Sequence, residues 1–147
     1  MSAEDIKKIG ARKVELDELL AKSDLVSIHA PLTDGTRHMI GRDQFKKMKK
    51  TAILVNTSRG PLIDTAALVD ALKGGQIGFA GIDVFEQEPA PKDCKLFELE
   101  NCCLTDHVGW YTEESQVELQ TLAAKNAALM LAGKPPLFCV NPEVLKA

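Results

Sequence analysis

Ala52-Ile53-Leu54-Val55-Asn56-Thr57-Ser58-Arg59-Gly60 passes within one step from four unbroken apolar residues to five small or polar ones. Unbroken rather than alternating hydrophobicity predicts a strand buried on both faces, the habit of parallel sheets covered by helices. Three more short runs share the pattern: Leu25-Val26-Ser27-Ile28, Gly78-Phe79-Ala80-Gly81-Ile82 and Cys102-Cys103-Leu104. Helical segments with readable ends separate them. Asp17 is placed to cap residues 18–22, Gly41 precedes 42–49, and Asp64 caps 65–73 ahead of the Gly74-Gly75 stop. Strands alternating with helices imply an α/β fold with a doubly wound parallel sheet.

In such sheets ligands sit beyond the carboxyl ends of the strands. Each predicted strand runs out into a chemically capable group: His29 after the first, Asn56 to Arg59 after the second, Asp83 after the third and His107 after the fourth. Arg59 offers a planar fork that matches a carboxylate. His107 is the side-chain type that trades a proton near neutral pH, and Glu88 can orient and recharge it. His38 lies outside these strand-end groups and reads as a surface residue. Trp110 reads equally as a packing residue or as part of a substrate pocket.

Residues 112–132 form one long helical pattern with Thr112 as cap, ending at Gly133-Lys134-Pro135-Pro136. At about 30 Å it exceeds what a crossover requires, so it is expected to bridge to something beyond the sheet, with the apolar tail of 137–143 docking on a neighbour. The division expected is therefore residues 1–110, a sheet domain, and 111–147, a bridging helix and tail.

The 147 residues, 45% hydrophobic with a net charge of −3, suit a globular core and exclude a disordered tail. The basic run Lys46-Lys47-Met48-Lys49-Lys50 reads as a solvated helix face, which argues against nucleic acid as a partner. Cys94, Cys102, Cys103 and Cys139 have neither zinc-site spacing nor the density of a disulfide scaffold, so reduced thiols and a cytoplasmic location are expected, with no metal. No run approaches the ~20 apolar residues of a membrane span, and no signal peptide opens the chain. Asn56-Thr57-Ser58 matches a glycosylation acceptor only formally, since it ends a buried strand.

The stretches Ser23-Asp24-Leu25-Val26-Ser27-Ile28-His29-Ala30-Pro31-Leu32-Thr33, Leu54-Val55-Asn56-Thr57-Ser58-Arg59-Gly60, Gly81-Ile82-Asp83-Val84-Phe85 with Glu88-Pro89, and Leu104-Thr105 running into His107 resemble the D-isomer-specific 2-hydroxyacid dehydrogenases. The resemblance covers nearly all of residues 17–145. It implies the later part of a Rossmann-like nucleotide-binding domain and an NAD or NADP cofactor, NAD being favoured. It further implies a small 2-oxo or 2-hydroxy acid substrate. Carried over, Arg59 would hold the substrate's carboxylate and carbonyl, His107 would be the acid/base and Glu88 its partner. Asp83 would accept from the nicotinamide carboxamide, and His29, Pro31, Thr57, Ser58 and Gly109 would line the cofactor.

Two departures stand out. Asp106 precedes His107 where many members have proline, and its charge bears on the pH optimum. The Gly-x-Gly-x-x-Gly loop that cradles a dinucleotide's phosphates does not occur; Gly75, Gly78 and Gly81 have the wrong spacing and belong to a turn and a strand. Met1-Ser2-Ala3-Glu4-Asp5 resembles the family segment just after the ribose-selecting strand, so the first βαβ unit and the substrate domain are expected to lie outside these residues. A weak strand near Arg12-Lys13-Val14 would then be cut off from the other four. An open apolar sheet edge is expected to recruit a partner, as a homodimer or swapped oligomer, or residues before about Asp17 to be disordered or refolded. The alternative functions are a non-catalytic dinucleotide-sensing scaffold, since 107–115 also resembles the C-terminal binding protein corepressors, and an inactive fragment.

Overall fold

Four parallel strands lie side by side in chain order in the computed structural model, which describes residues 3–146: β1 Leu25–Ile28, β2 Ile53–Asn56, β3 Phe79–Ile82 and β4 Cys102–Leu104. The register aligns Ile28 with Asn56, Asn56 with Ile82, and Ile82 with Leu104. The strands therefore end level, and His29, Thr57, Asp83 and Thr105 all leave the sheet at one edge. This is a Rossmann-like α/β fold.

The helices are α1 Ala3–Lys8, α2 Leu16–Lys22, α3 Arg42–Lys47, α4 Thr65–Lys73 and α5 Glu113–Leu131. Expected burial of the strands on both faces is not what forms. Val26, Ile28, Leu54, Ala80 and Ile82 are buried with Leu20, Phe45, Leu62, Leu68 and Leu72 in one core, whereas Leu25, Ile53 and Phe79 on the opposite face are 58%, 37% and 37% exposed. The cause is topological. Parallel crossovers are right-handed, so a strand order that advances without reversing lays successive crossover helices on the same face; α2, α3 and α4 pack side by side there.

Most helix ends follow their sequence signals. Asp64 caps α4 by accepting from the Ala67 N–H at 3.0 Å, and the helix stops at Gly74. Two ends differ. Glu15, not Asp17, is the residue before α2, and Asp17 sits in the first turn paired with Lys47 at 2.6 Å. Helix α3 ends at Lys47 rather than residue 49, because Met48 turns extended and buries its side chain. Arg12-Lys13-Val14 form no strand, and the chain before Asp17 instead folds as α1 and a turn; Met1 and Ser2 lie outside the described residues.

The chain separates into two compact units, through Gly109 and from Trp110 onward. In the second, Thr112 and Ser115 cap α5 reciprocally, each hydroxyl accepting from the other's N–H at 3.1 and 2.9 Å. Asn126 accepts the Leu137 N–H at 2.8 Å and ties the tail to this helix, while Trp110 meets Tyr111 edge-on at 5.3 Å. Among the described residues no helix is long and apolar enough to cross a membrane.

Candidate active site

The loop after β2 is shaped by Asn56, which is fully buried. Its carbonyl accepts the Ser58 N–H at 3.0 Å and its amide donates to the Arg59 carbonyl at 2.9 Å, a side-chain turn of the kind asparagine makes readily. Ser58 donates to the Ile28 carbonyl at 2.6 Å and so fastens this loop to the end of β1. Arg59 emerges with its guanidinium donating to the Ser58 carbonyl at 2.7 Å. Together with His29, Ala30, Pro31, Leu32 and Ser58 it lines a cleft of about 520 Å³ at the strand ends.

The loop after β4 is held from beneath by Asp83. This buried carboxylate takes the Thr105 hydroxyl at 2.5 Å, the Val108 N–H at 2.8 Å and the Gly109 N–H at 2.9 Å, while the Asp83 carbonyl takes the His107 N–H at 2.7 Å. Burial alone would raise the Asp83 carboxyl; the three donors and the charge of His107 outweigh it and hold it below its ordinary value. His107 adopts a left-handed backbone, φ 53°, which lets the next two N–H groups converge on that one carboxylate. Gly109 is a necessity: a Cβ there would stand 2.9 Å from Asp83 Oδ2 and 3.5 Å from Thr57 Cγ2.

His107 Nδ1–H donates to Glu88 Oε2 at 2.8 Å, and Glu88 Oε1 accepts the Phe85 N–H at 3.0 Å. The bond from His107 is the main reason the Glu88 carboxyl lies below the usual carboxylate range; the Phe85 N–H and the charges of His107 and Arg59 reinforce it against the cost of burial. The bond at Nδ1 fixes the orientation of the imidazole ring. Of the predicted trio, Glu88 and His107 bond directly, whereas Arg59 bonds to the Ser58 carbonyl and contributes only its charge to lowering the Glu88 carboxyl.

Sequence reasoning missed two contributors. Gly60 follows Arg59 so tightly packed that an added Cβ would lie 2.0 Å from the Phe85 carbonyl carbon and oxygen and 2.4 Å from the Glu86 nitrogen. The Arg59 loop and the arm carrying Glu88 thus touch backbone to backbone. The second is Glu86 with His38, a contact across 48 residues of sequence for which no local signal exists. Cys94, Cys102, Cys103 and Cys139 are free thiols; Cys94 lines a cavity with Thr65, Phe85 and Glu86, and burial, aided by Cys103 and Cys94, pushes the Cys102 thiol up to about 11.

Residues 1–109 match the family model for the D-isomer specific 2-hydroxyacid dehydrogenase NAD binding domain. The chain belongs to that family. A glyoxylate reductase of Thermofilum pendens is 51% identical over 132 residues, 90% of this chain and 39% of the relative. Glyoxylate/hydroxypyruvate reductase B of Cronobacter sakazakii is 46% identical over 139 residues, 95% of this chain and 43% of its own length. The crystal structure of D-lactate dehydrogenase with NAD+ from Lactobacillus jensenii superimposes with a TM-score of 0.87 at 30% identity, over 95% of this chain and 46% of that one. The chain spans about two fifths of the length of the curated relatives it matches.

Proposed function

We propose that these residues supply the proton-transfer and carboxylate-binding half of a dehydrogenase site that interconverts a small 2-oxo acid and its 2-hydroxy acid. The observation that carries this is the Glu88–His107 bond at 2.8 Å, on the same sheet edge as an arginine whose charge reaches Glu88. Arg59 pairs with the substrate carboxylate through two parallel N–H bonds and steadies the carbonyl oxygen. A nicotinamide held at these strand ends would supply hydride chemistry in the reducing direction. His107, charged and oriented by Glu88, gives its Nε2 proton to the carbonyl oxygen, so the C=O becomes CH–OH. Glu88 stabilises the imidazolium before that transfer and, from water, the reprotonated ring afterwards.

The residues present fit the nicotinamide end of a dinucleotide. His29, Pro31 and Ser58 line the strand-end cleft, Thr57 lies against Gly109, and Asp83 has one carboxylate lone pair beyond the three its own chain occupies, available to a carboxamide N–H. NAD is favoured over NADP. In an assay of NADH- and NADPH-dependent reduction across a panel of 2-oxo acids, the protein carrying this chain is expected to oxidise NADH with glyoxylate or hydroxypyruvate, the substrates in its relatives' names. Neutral aldehydes of the same size should be poor substrates because they give Arg59 nothing to hold. Equal turnover of the two would remove the reading.

Association through the free edge of β1 is the second part of the proposal. That strand pairs only with β2 among the described residues, and Leu25 at its start is 58% exposed. Unpaired strand edges invite a further strand, so a homodimer or swapped oligomer is expected by light scattering. A monodisperse monomer would rule this out. Free thiols at all four cysteines accord with a cytoplasmic location.

A further inference from the structure

The arm that carries Glu88 holds a second carboxylate two residues earlier, and its bonding repeats the first. Glu88 takes a backbone N–H on one oxygen and a histidine on the other. Glu86 does the same: Oε1 accepts the Thr65 N–H at 2.8 Å, and Oε2 meets His38 Nε2 at 2.9 Å. His38, like His107, adopts a left-handed backbone, φ 54°. Non-glycine residues in that region are uncommon, and their persistence calls for an explanation in the surroundings.

The surroundings supply one. The His38 N–H donates to the Pro61 carbonyl at 2.8 Å, and Ile40 and Asp64 continue the pairing at 3.1 and 3.0 Å. His38 is thereby fixed to the segment directly after Arg59 and Gly60, and Thr65 opens α4 just beyond. Of the partners of Glu86, Thr65 belongs to the structure that follows the arginine loop and His38 is bonded to it, while Glu86 belongs to the histidine's arm. The two halves also touch at Gly60. The side chains of His38 and Glu86 are 42% and 33% exposed, a setting in which such a contact adds little to stability. Its value lies in position.

We propose that Glu86 is a positioning residue: tethered to His38 and to the Thr65 N–H, it fixes the arm of Phe85 to Glu88 so that the Glu88 carboxylate meets His107 while staying in register with Arg59. This rests on the reading of Glu88 and His107 as the acid/base pair. A simple helix-capping role for Glu86 predicts damage to α4 and nothing at Glu88.

The test uses this chain, labelled for NMR, in four forms: wild type, Glu86→Ala, Glu86→Gln and His38→Asn. Two readouts are followed, the carboxyl titration of Glu88 and hydrogen exchange at the Phe85 N–H that bonds to it. In Glu86→Ala the Glu88 midpoint should rise to the ordinary glutamate value, with Phe85 exchange accelerated at least about fivefold, the equivalent of one lost hydrogen bond. Glu86→Gln keeps an acceptor for Thr65 and turns an amide N–H toward His38 Nε2, which can accept it once the ring carries its proton on Nδ1, so it should match wild type. His38→Asn, which tolerates the left-handed backbone, should give the Glu86→Ala changes in weaker form, and it decides the matter alone if Glu86→Ala does not fold. Folded variants in which Glu88 and Phe85 behave as in wild type would overturn the proposal.

In the active protein, Glu86→Ala should lower kcat about tenfold, from loss of roughly 1.4 kcal/mol of transition-state stabilisation, with KM nearly unchanged, and should lower it no further in a Glu88→Gln background. An additive loss would mean that Glu86 does not act through Glu88. The NMR readouts need no turnover. Absence of 2-oxo acid reduction would therefore strike the reading of the site, whereas an unmoved Glu88 would strike the tether.

Discussion

Gly60→Ala is expected to lower the thermal midpoint of the sheet domain by roughly 10 °C or more, equivalent to about 3 kcal/mol at the scale of a domain of this size. The added methyl would lie 2.0 Å from the Phe85 carbonyl and 2.4 Å from the Glu86 nitrogen, well inside van der Waals contact. Overpacking is usually relieved by a neighbouring side chain that changes rotamer. Here the neighbour is backbone. Neither side can retreat freely: the Asn56 side chain grips Ser58 and Arg59, Pro61 is bonded to His38, and the opposing arm is pinned through Glu86 and Glu88. Relief must come from separating the arginine loop from the Glu88 arm, so Phe85 N–H exchange should quicken along with the loss of stability. Gly35→Ala is the control, since a Cβ there meets only the Thr33 hydroxyl at 3.9 Å, and its effect should stay within about 0.5 kcal/mol. A wild-type melting curve for Gly60→Ala would show that the two loops are not in backbone contact.

What the sequence discloses and what it conceals divide along a physical line. Strands Leu25–Ile28 and Cys102–Leu104 could be read residue for residue, because short apolar runs closed by turn formers admit little else. The cap Asp64, the stop at Gly74 and the cap Thr112 were equally legible, each being a local hydrogen-bonding device. Asp17 was ambiguous for a local reason too: aspartate is favourable both as a cap and in the first turn, and only the ion pair with Lys47 shows which it takes. Burial on one face of the sheet was not legible, since an apolar strand residue does not encode which face the crossovers will cover. His38 read as surface and is half exposed, yet its partner Glu86 is brought to it by the ladder between residues 38–40 and 61–64. Pairings of that kind, set by tertiary register between remote segments, leave no mark in local pattern. The need for glycine at position 60 is of the same kind, because the atoms it must avoid belong to residues 85 and 86.

Removing the imidazole should have the largest effect on turnover. His107→Ala in the active protein is expected to lower kcat for 2-oxo acid reduction by about 10² to 10⁴-fold, the usual worth of a positioned acid/base, while KM changes little because Arg59, the proposed carboxylate partner, is untouched. Glu88→Gln should cost less, about tenfold to a hundredfold, as expected for loss of one charge-assisted hydrogen bond of roughly 1.5–3 kcal/mol. The pH dependence separates the two roles. The Glu88 carboxyl lies below the usual carboxylate range chiefly because His107 donates to it. A depressed folded-state value means that the pair contributes stability above the unfolded value and loses it as pH falls through the folded one. Activity and stability should therefore decline together on the acid side in the wild type. In Glu88→Gln that acid limb should disappear from the kcat profile, leaving a lower plateau. An unchanged acid limb in Glu88→Gln would assign it to another group, and full activity in His107→Ala would remove the histidine from the reaction altogether.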